Sequence, residues 1–179
     1  NGAHSQLLEN RLYMPTPLII TTHINNVFES VNGKRKLFHA DGSEVSSGLV
    51  DDLYKHFTRN HKNVYGRSDV GAWTWLNARF VKGKGHRGLD LETVMGLSAK
   101  KKSEFEVARV PLEKCIDEDG YVQLKFNAQG LATNKSRDGE YKVGTNIHFW
   151  YPRQDAVAGF GADSGGADLF CGWDPGDRD

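Results

Sequence analysis

Four side chains spaced two apart, Trp73, Trp75, Asn77 and Arg79, set two indoles beside an amide and a guanidinium. A second set, Asn146, His148 and Trp150, repeats that spacing far along the chain. Residues two apart on an extended strand share one face. Each set therefore describes a strand face on which flat rings stand beside hydrogen-bonding groups. Such surfaces bind sugars and lipid headgroups, and aromatic cages bind quaternary amines. If both strands belong to one sheet, the seven residues form a single binding surface for a glycan or a lipid headgroup. The competing expectation is that the indoles pack under a second layer, as tryptophan is mostly buried on average.

Reacting groups are sparse. The chain has no Gly-x-Ser-x-Gly elbow, no His-Glu-x-x-His and no Cys-x-x-Cys, so neither a metal nor a cofactor is expected. Asp163-Ser164-Gly165-Gly166 is similar to the surroundings of some nucleophilic serines, but no histidine is placed beside it. His148 acting with a carboxylate or with Cys171 gives a hydrolase as the alternative function. Residues 82–88 alternate glycine with Lys82, Lys84, His86 and Arg87, yet match neither phosphate-loop spacing. A solvated hairpin tip is expected there, and a solvated turn at Lys100-Lys101-Lys102. Were these clusters adjacent, they would attract phosphates or anionic headgroups. Asp117-Glu118-Asp119-Gly120 lacks the spacing of a calcium loop.

Composition limits the function classes further. The 179 residues suit a single domain, long enough to bury about two-thirds of its unfolded surface. Lysine plus arginine and aspartate plus glutamate number 23 each, which removes the overall positive field of a nucleic-acid binder. No apolar run reaches the ~20 residues of a membrane-spanning helix. The chain starts at Asn1 without the features of a signal peptide, so a processed or trimmed product is expected, with any such peptide already removed. Cys115 and Cys171 are the two cysteines, and both a disulfide and two buried thiols remain open.

The elements that must position the aromatic residues read as strands. An arm at residues 1–14 precedes Pro15 and Pro17, and alternation from Leu18 predicts a strand running through Phe28. Asn32-Gly33 then predicts a hairpin, with Lys36 to Ala40 as the return strand. One amphipathic helix is expected over about 47–60, capped by Ser46 or Ser47, with Leu49, Leu53 and Phe57 on its apolar stripe. Further strands are expected over 72–81, 121–128 and 143–151, while 89–97 is ambiguous between strand and helical turn. A bulge near Ala108 to Arg109 is expected to shift the register of the strand that begins at Glu104. Residues 156–179 read as an irregular tail rich in glycine and aspartate. The fold expected is mainly β, an antiparallel sandwich or barrel with that single helix.

Gly71-Ala72-Trp73-Thr74-Trp75-Leu76-Asn77-Ala78-Arg79-Phe80 resembles a strand segment of the actinoporins, β-sandwich cytolysins that bind sphingolipid membranes. The resemblance covers ten residues and implies architecture alone. The expected function is a non-enzymatic binding module, secreted or extracellular, that recognises glycan or membrane headgroups; a toxin component fits that description. A structural subunit of a larger assembly is a further alternative, and homo-oligomerisation stays open.

Overall fold

Thr16 and Pro17 begin the first element, and it is a helix. A computed structural model describes residues 14–59, 71–97 and 105–173. Helix α1 (Pro17–Val31) has Pro17 in its first turn, where a missing N–H costs nothing, and the Thr16 hydroxyl accepts from the Ile19 N–H at 3.4 Å. Asn32 closes it and Gly33 follows at φ 69°, the left-handed residue that commonly ends helices. The strand, hairpin and return strand expected over 18–40 are therefore corrected. The dense Ile and Thr residues favour strands locally. However, Pro17, Ile20, Thr21, Ile24, Val27 and Phe28 are the buried positions, and that spacing fits a helix. The buried Thr21 hydroxyl donates to the Pro17 carbonyl at 2.8 Å.

Helix α2 (Ser47–Thr58) lies where expected, with the Ser46 hydroxyl accepting from the Leu49 N–H at 3.3 Å. Val50 and Phe57 are buried, while Leu49 is exposed. The strands are β1 (Ala72–Lys82), β2 (Leu89–Leu97), β3 (Phe105–Pro111), β4 (Gly120–Gln123), β5 (Asn146–Trp150), β6 (Val157–Ala162) and β7 (Ala167–Trp173). They form one open sheet in the order β3-β2-β1-β6-β7-β5-β4, with β5 and β7 parallel and the other neighbours antiparallel. The β2–β3 register shifts between Val94 and Gly96, on the strand opposite the expected bulge.

The fold is thus mainly β, but the strands do not close into a barrel and no second sheet occurs among the described residues. Both helices cover one face. Leu76, Ala78, Phe80, Ile147, Phe149, Phe160 and Leu169 meet Ile20, Ile24, Val27, Phe28 and Phe57 in a common core. Full burial of each large side chain contributes roughly 1.5–3 kcal/mol. The irregular tail is corrected as well, because β6 and β7 are inner strands of the sheet. The N-terminal arm through Tyr13, Lys100-Lys101-Lys102 and residues 174–179 lie outside the described residues.

Candidate functional site

The face of the sheet turned away from the helices is organised by register. Trp73 and Trp75 on β1 pair with Gly161 and Gly159 on β6, which pair in turn with Asp168 and Phe170 on β7. Asp168 and Phe170 pair with His148 and Trp150 on β5, and His148 pairs with Tyr121 on β4. Cross-strand partners share a face. The two tryptophan sets of the sequence therefore fall on one surface, separated by two strands.

Among the described residues, six rings run across that surface. Trp75 meets Trp73 edge to face at 5.7 Å between ring centroids, and Trp73 meets Phe170 at 5.3 Å. Phe170 stacks on Trp150 at 6.0 Å with their planes 16° apart. Trp150 then meets His148 at 4.9 Å, and His148 meets Tyr121 edge to face at 5.2 Å. Glycines on β6 make room for the run. A Cβ at Gly161 would lie 3.0 Å from Trp73 Cε3, and one at Gly159 would lie 3.1 Å from Trp73 Cη2. Such close approach is a common reason for glycine inside a strand. Trp73 stays 44% exposed and Trp150 38%.

Polar groups sit beside the rings. Trp150 Nε1 donates to Asp168 Oδ1 at 3.3 Å. His148 Nδ1 lies 3.6 Å from the same oxygen, too far for a hydrogen bond, and has no hydrogen-bond partner among the described residues. Burial pushes the Asp168 carboxyl above its ordinary range, opposed by the Trp150 N–H and the His148 charge; Asp163 adds to the rise. The cluster is a hydrogen-bonding corner set against a stacked pair of rings. That combination suits a hydroxyl-bearing ligand whose C–H face lies on an aromatic plane.

Three of the seven sequence-derived residues are placed elsewhere or used otherwise. Asn77 substitutes for a missing piece of the β1–β2 ladder: its Nδ2 donates to the Val94 carbonyl at 2.8 Å, and its Oδ1 accepts from the Val94 N–H at 2.7 Å. Asn146 is completely buried; its Oδ1 accepts from the Lys142 N–H at 2.7 Å, and its Nδ2 donates to the Glu140 carbonyl at 2.9 Å and Ser136 Oγ at 3.3 Å. Both amides hold backbone. Arg79 lies toward the other end of β1, exposed, 3.7 Å from Asp155. Trp73, Trp75, His148 and Trp150 remain on the ring surface.

Tyr121, Asp168 and Phe170 complete the surface and were missed. Tyr121 lies on the outward face expected of its strand but was not joined to the site. Asp168 and Phe170 alternate with Leu169 and Cys171, a two-residue period hidden by reading that segment as a tail. The same alternation separates Cys171 from His148. Cys171 is buried on the helix-covered face while His148 shares the face of Asp168 and Phe170, so the proposed thiol–imidazole pair is not formed. Cys115 and Cys171 are free, buried thiols. Among the described residues no group of three His, Cys, Asp or Glu could hold a metal ion, and no helix is long and apolar enough to cross a membrane.

Comparison with protein-family models, curated proteins and solved structures finds no match for this chain. The likeness to actinoporins thus rests on the ten residues around β1 alone, and those residues belong here to a single sheet backed by helices.

Proposed function

We propose that the chain is a non-enzymatic binding module, secreted or surface-exposed, whose aromatic sheet face recognises a glycan. The observation that carries this reading is the unbroken run of six rings, with Trp73 and Trp150 still exposed. A rigid sheet holds the rings in place, so little side-chain entropy is lost when a sugar stacks on them. Asp168 and His148 supply an acceptor and an imidazole at the margin, where sugar hydroxyls would fall. A membrane headgroup is the other ligand compatible with this surface.

The test is binding to a glycan array and to liposomes with and without sphingolipid, comparing the wild type with Trp73→Ala and Trp150→Ala. Glycan binding lost in both variants supports the reading. Binding confined to liposomes moves the ligand to a lipid headgroup, and binding unchanged in both variants defeats the aromatic surface altogether. Self-association on light scattering that the same variants abolish would make the face an assembly contact.

The His148–Asp168 approach favours a second reading, a hydrolase in which these groups exchange protons with a substrate lying on the rings. Turnover of chromogenic glycosides or esters, lost in His148→Ala and Asp168→Asn, would establish it.

A further inference from the structure

The ends of β1 and β5 and the start of β2 frame a cleft of about 450 Å³ that contains none of the six rings. Among the described residues that line it, three are cations, Lys82, Arg87 and Arg153, and none is a carboxylate. Both guanidinium groups lie over the Tyr151 ring, Arg153 at 5.2 Å and Arg87 at 5.7 Å from its centroid.

The cations are held in place from outside the cleft. Arg153 Nη2 donates to Asp119 Oδ2 at 2.9 Å, and the other oxygen of Asp119 accepts from the Tyr151 N–H at 2.9 Å. The Arg153 stem lies against Gly172, where a Cβ would come within 3.3 Å of its Cδ and Nε. Arg87 Nη1 donates to the Asp117 carbonyl at 2.9 Å, and the Asp117 carboxylate lies 3.6 Å away beside His86. Each arginine thus spends one nitrogen on the protein and keeps the rest of its donor fork. Lys82 has no ion pair among the described residues. Asp117 and Asp119 thus balance the arginines, and among the described residues lining the cleft Lys82 is left without an ion pair.

Backbone geometry converges on the same place. Arg87 (φ 54°) and Asp155 (φ 64°) are the non-glycine residues with positive φ among those described, and both lie in turns bordering the cleft. Strained backbone is retained where surrounding structure enforces it, and such residues cluster at ligand sites. The turn of Arg87 is fixed by Asp90, whose Oδ1 accepts from the N–H groups of Lys84 at 2.8 Å and Gly85 at 3.2 Å. The glycine-and-cation run at 82–88 is therefore a braced turn, and two of its cations face one cavity.

We propose that this cleft binds the phosphate group of a small phosphate monoester. Two planar forks and an ammonium approaching from separate elements suit a tetrahedral oxyanion better than a planar carboxylate. The volume exceeds what an inorganic ion fills, leaving room for an organic portion.

The test is a titration of the full chain, followed by the amide resonances of Arg87, Gly88 and Arg153. Three probes are compared: inorganic phosphate, a hexose 6-phosphate, and phosphatidylcholine vesicles containing phosphatidic acid. Sodium chloride at matched ionic strength is the control. Saturable shifts are expected, weakened about tenfold by Arg87→Lys, which keeps charge but loses the fork, and also weakened by Lys82→Ala. Lys82 is exposed and has no ion pair among the described residues, so its variant reads binding with little effect on folding. A response to the soluble ester places the ligand in solution; a response to the vesicles alone places it on a lipid. Shifts that chloride reproduces, shifts that both variants leave unchanged, or no saturable shift with any probe would overturn the proposal.

Discussion

The indole of Trp73 lies across Gly161, so close that a methyl group there would come within 3.0 Å of Cε3. The glycine is thus part of the aromatic surface although it contributes no side chain. Gly161→Ala requires the indole to move by a few tenths of an ångström, away from its 5.3 Å contact with Phe170. Overpacking typically costs 1–3 kcal/mol, and the better strand propensity of alanine offsets part of it. We expect a loss of about 1 kcal/mol in urea denaturation, with altered near-ultraviolet circular dichroism from tryptophan. An unchanged tryptophan signal would show that the glycine is not needed to seat the ring.

Asn77 and Asn146 should behave as structural amides. Asn77→Ala leaves the N–H and carbonyl of Val94 without their partners, at about 1–3 kcal/mol. Asn146→Ala removes three bonds from a fully buried site and is expected to cost more, about 3 kcal/mol. Hydrogen exchange at Val94 and Lys142 would report the two losses separately. If either variant kept full stability yet lost ligand affinity, that amide would belong to the binding surface after all.

The sequence made one half of this architecture legible and concealed the other for identifiable reasons. Strand β1 read correctly because Leu76, Ala78 and Phe80 alternate with Trp73, Trp75 and Arg79, and the observed faces follow that alternation. Helix α1 was hidden because β-branched residues favour strands locally, while the three-and-four spacing of Ile20, Ile24, Val27 and Phe28 emerges only against a core. Asn32-Gly33 serves hairpins and helix ends alike, so only the preceding element decides its meaning. Strand β6 was hidden by Gly159 and Gly161, which look irregular until the indole above them is known. The isolated spacing of Trp73 and Trp150 identified the surface; Phe170, which connects them, lay in a segment read as a tail.

The two cysteines should be inert in the folded chain and reactive in the unfolded one. Burial pushes Cys115 up to about 11, with Asp117 adding to the rise, and holds Cys171 well above the ordinary thiol range. Only the thiolate reacts rapidly with alkylating and disulfide reagents. A thiol reagent at pH 8 is therefore expected to label neither residue in the native protein and both in urea without a reductant. Labelling that requires a reductant would mean that they are bonded to each other.

Asp168 connects the aromatic surface to pH. Its folded carboxyl holds a proton more tightly than the unfolded one, chiefly through burial, so ionisation is less favourable in the folded chain. Stability from this group is fully present below the ordinary value of 3.8 and is lost as pH rises through the raised folded value. Asp168→Asn keeps an oxygen to accept from Trp150 Nε1 but cannot ionise. The variant should gain stability over the wild type at pH 7, and the gap should close as pH falls below 3.8. Trp150→Phe removes a donor that favours the carboxylate, so it should push the carboxyl further up and deepen the wild-type loss at neutral pH. Urea denaturation of the three proteins between pH 3 and pH 7 measures both effects. A gap between Asp168→Asn and wild type that is independent of pH would assign the difference to packing, with Asp168 no longer a titrating part of the surface.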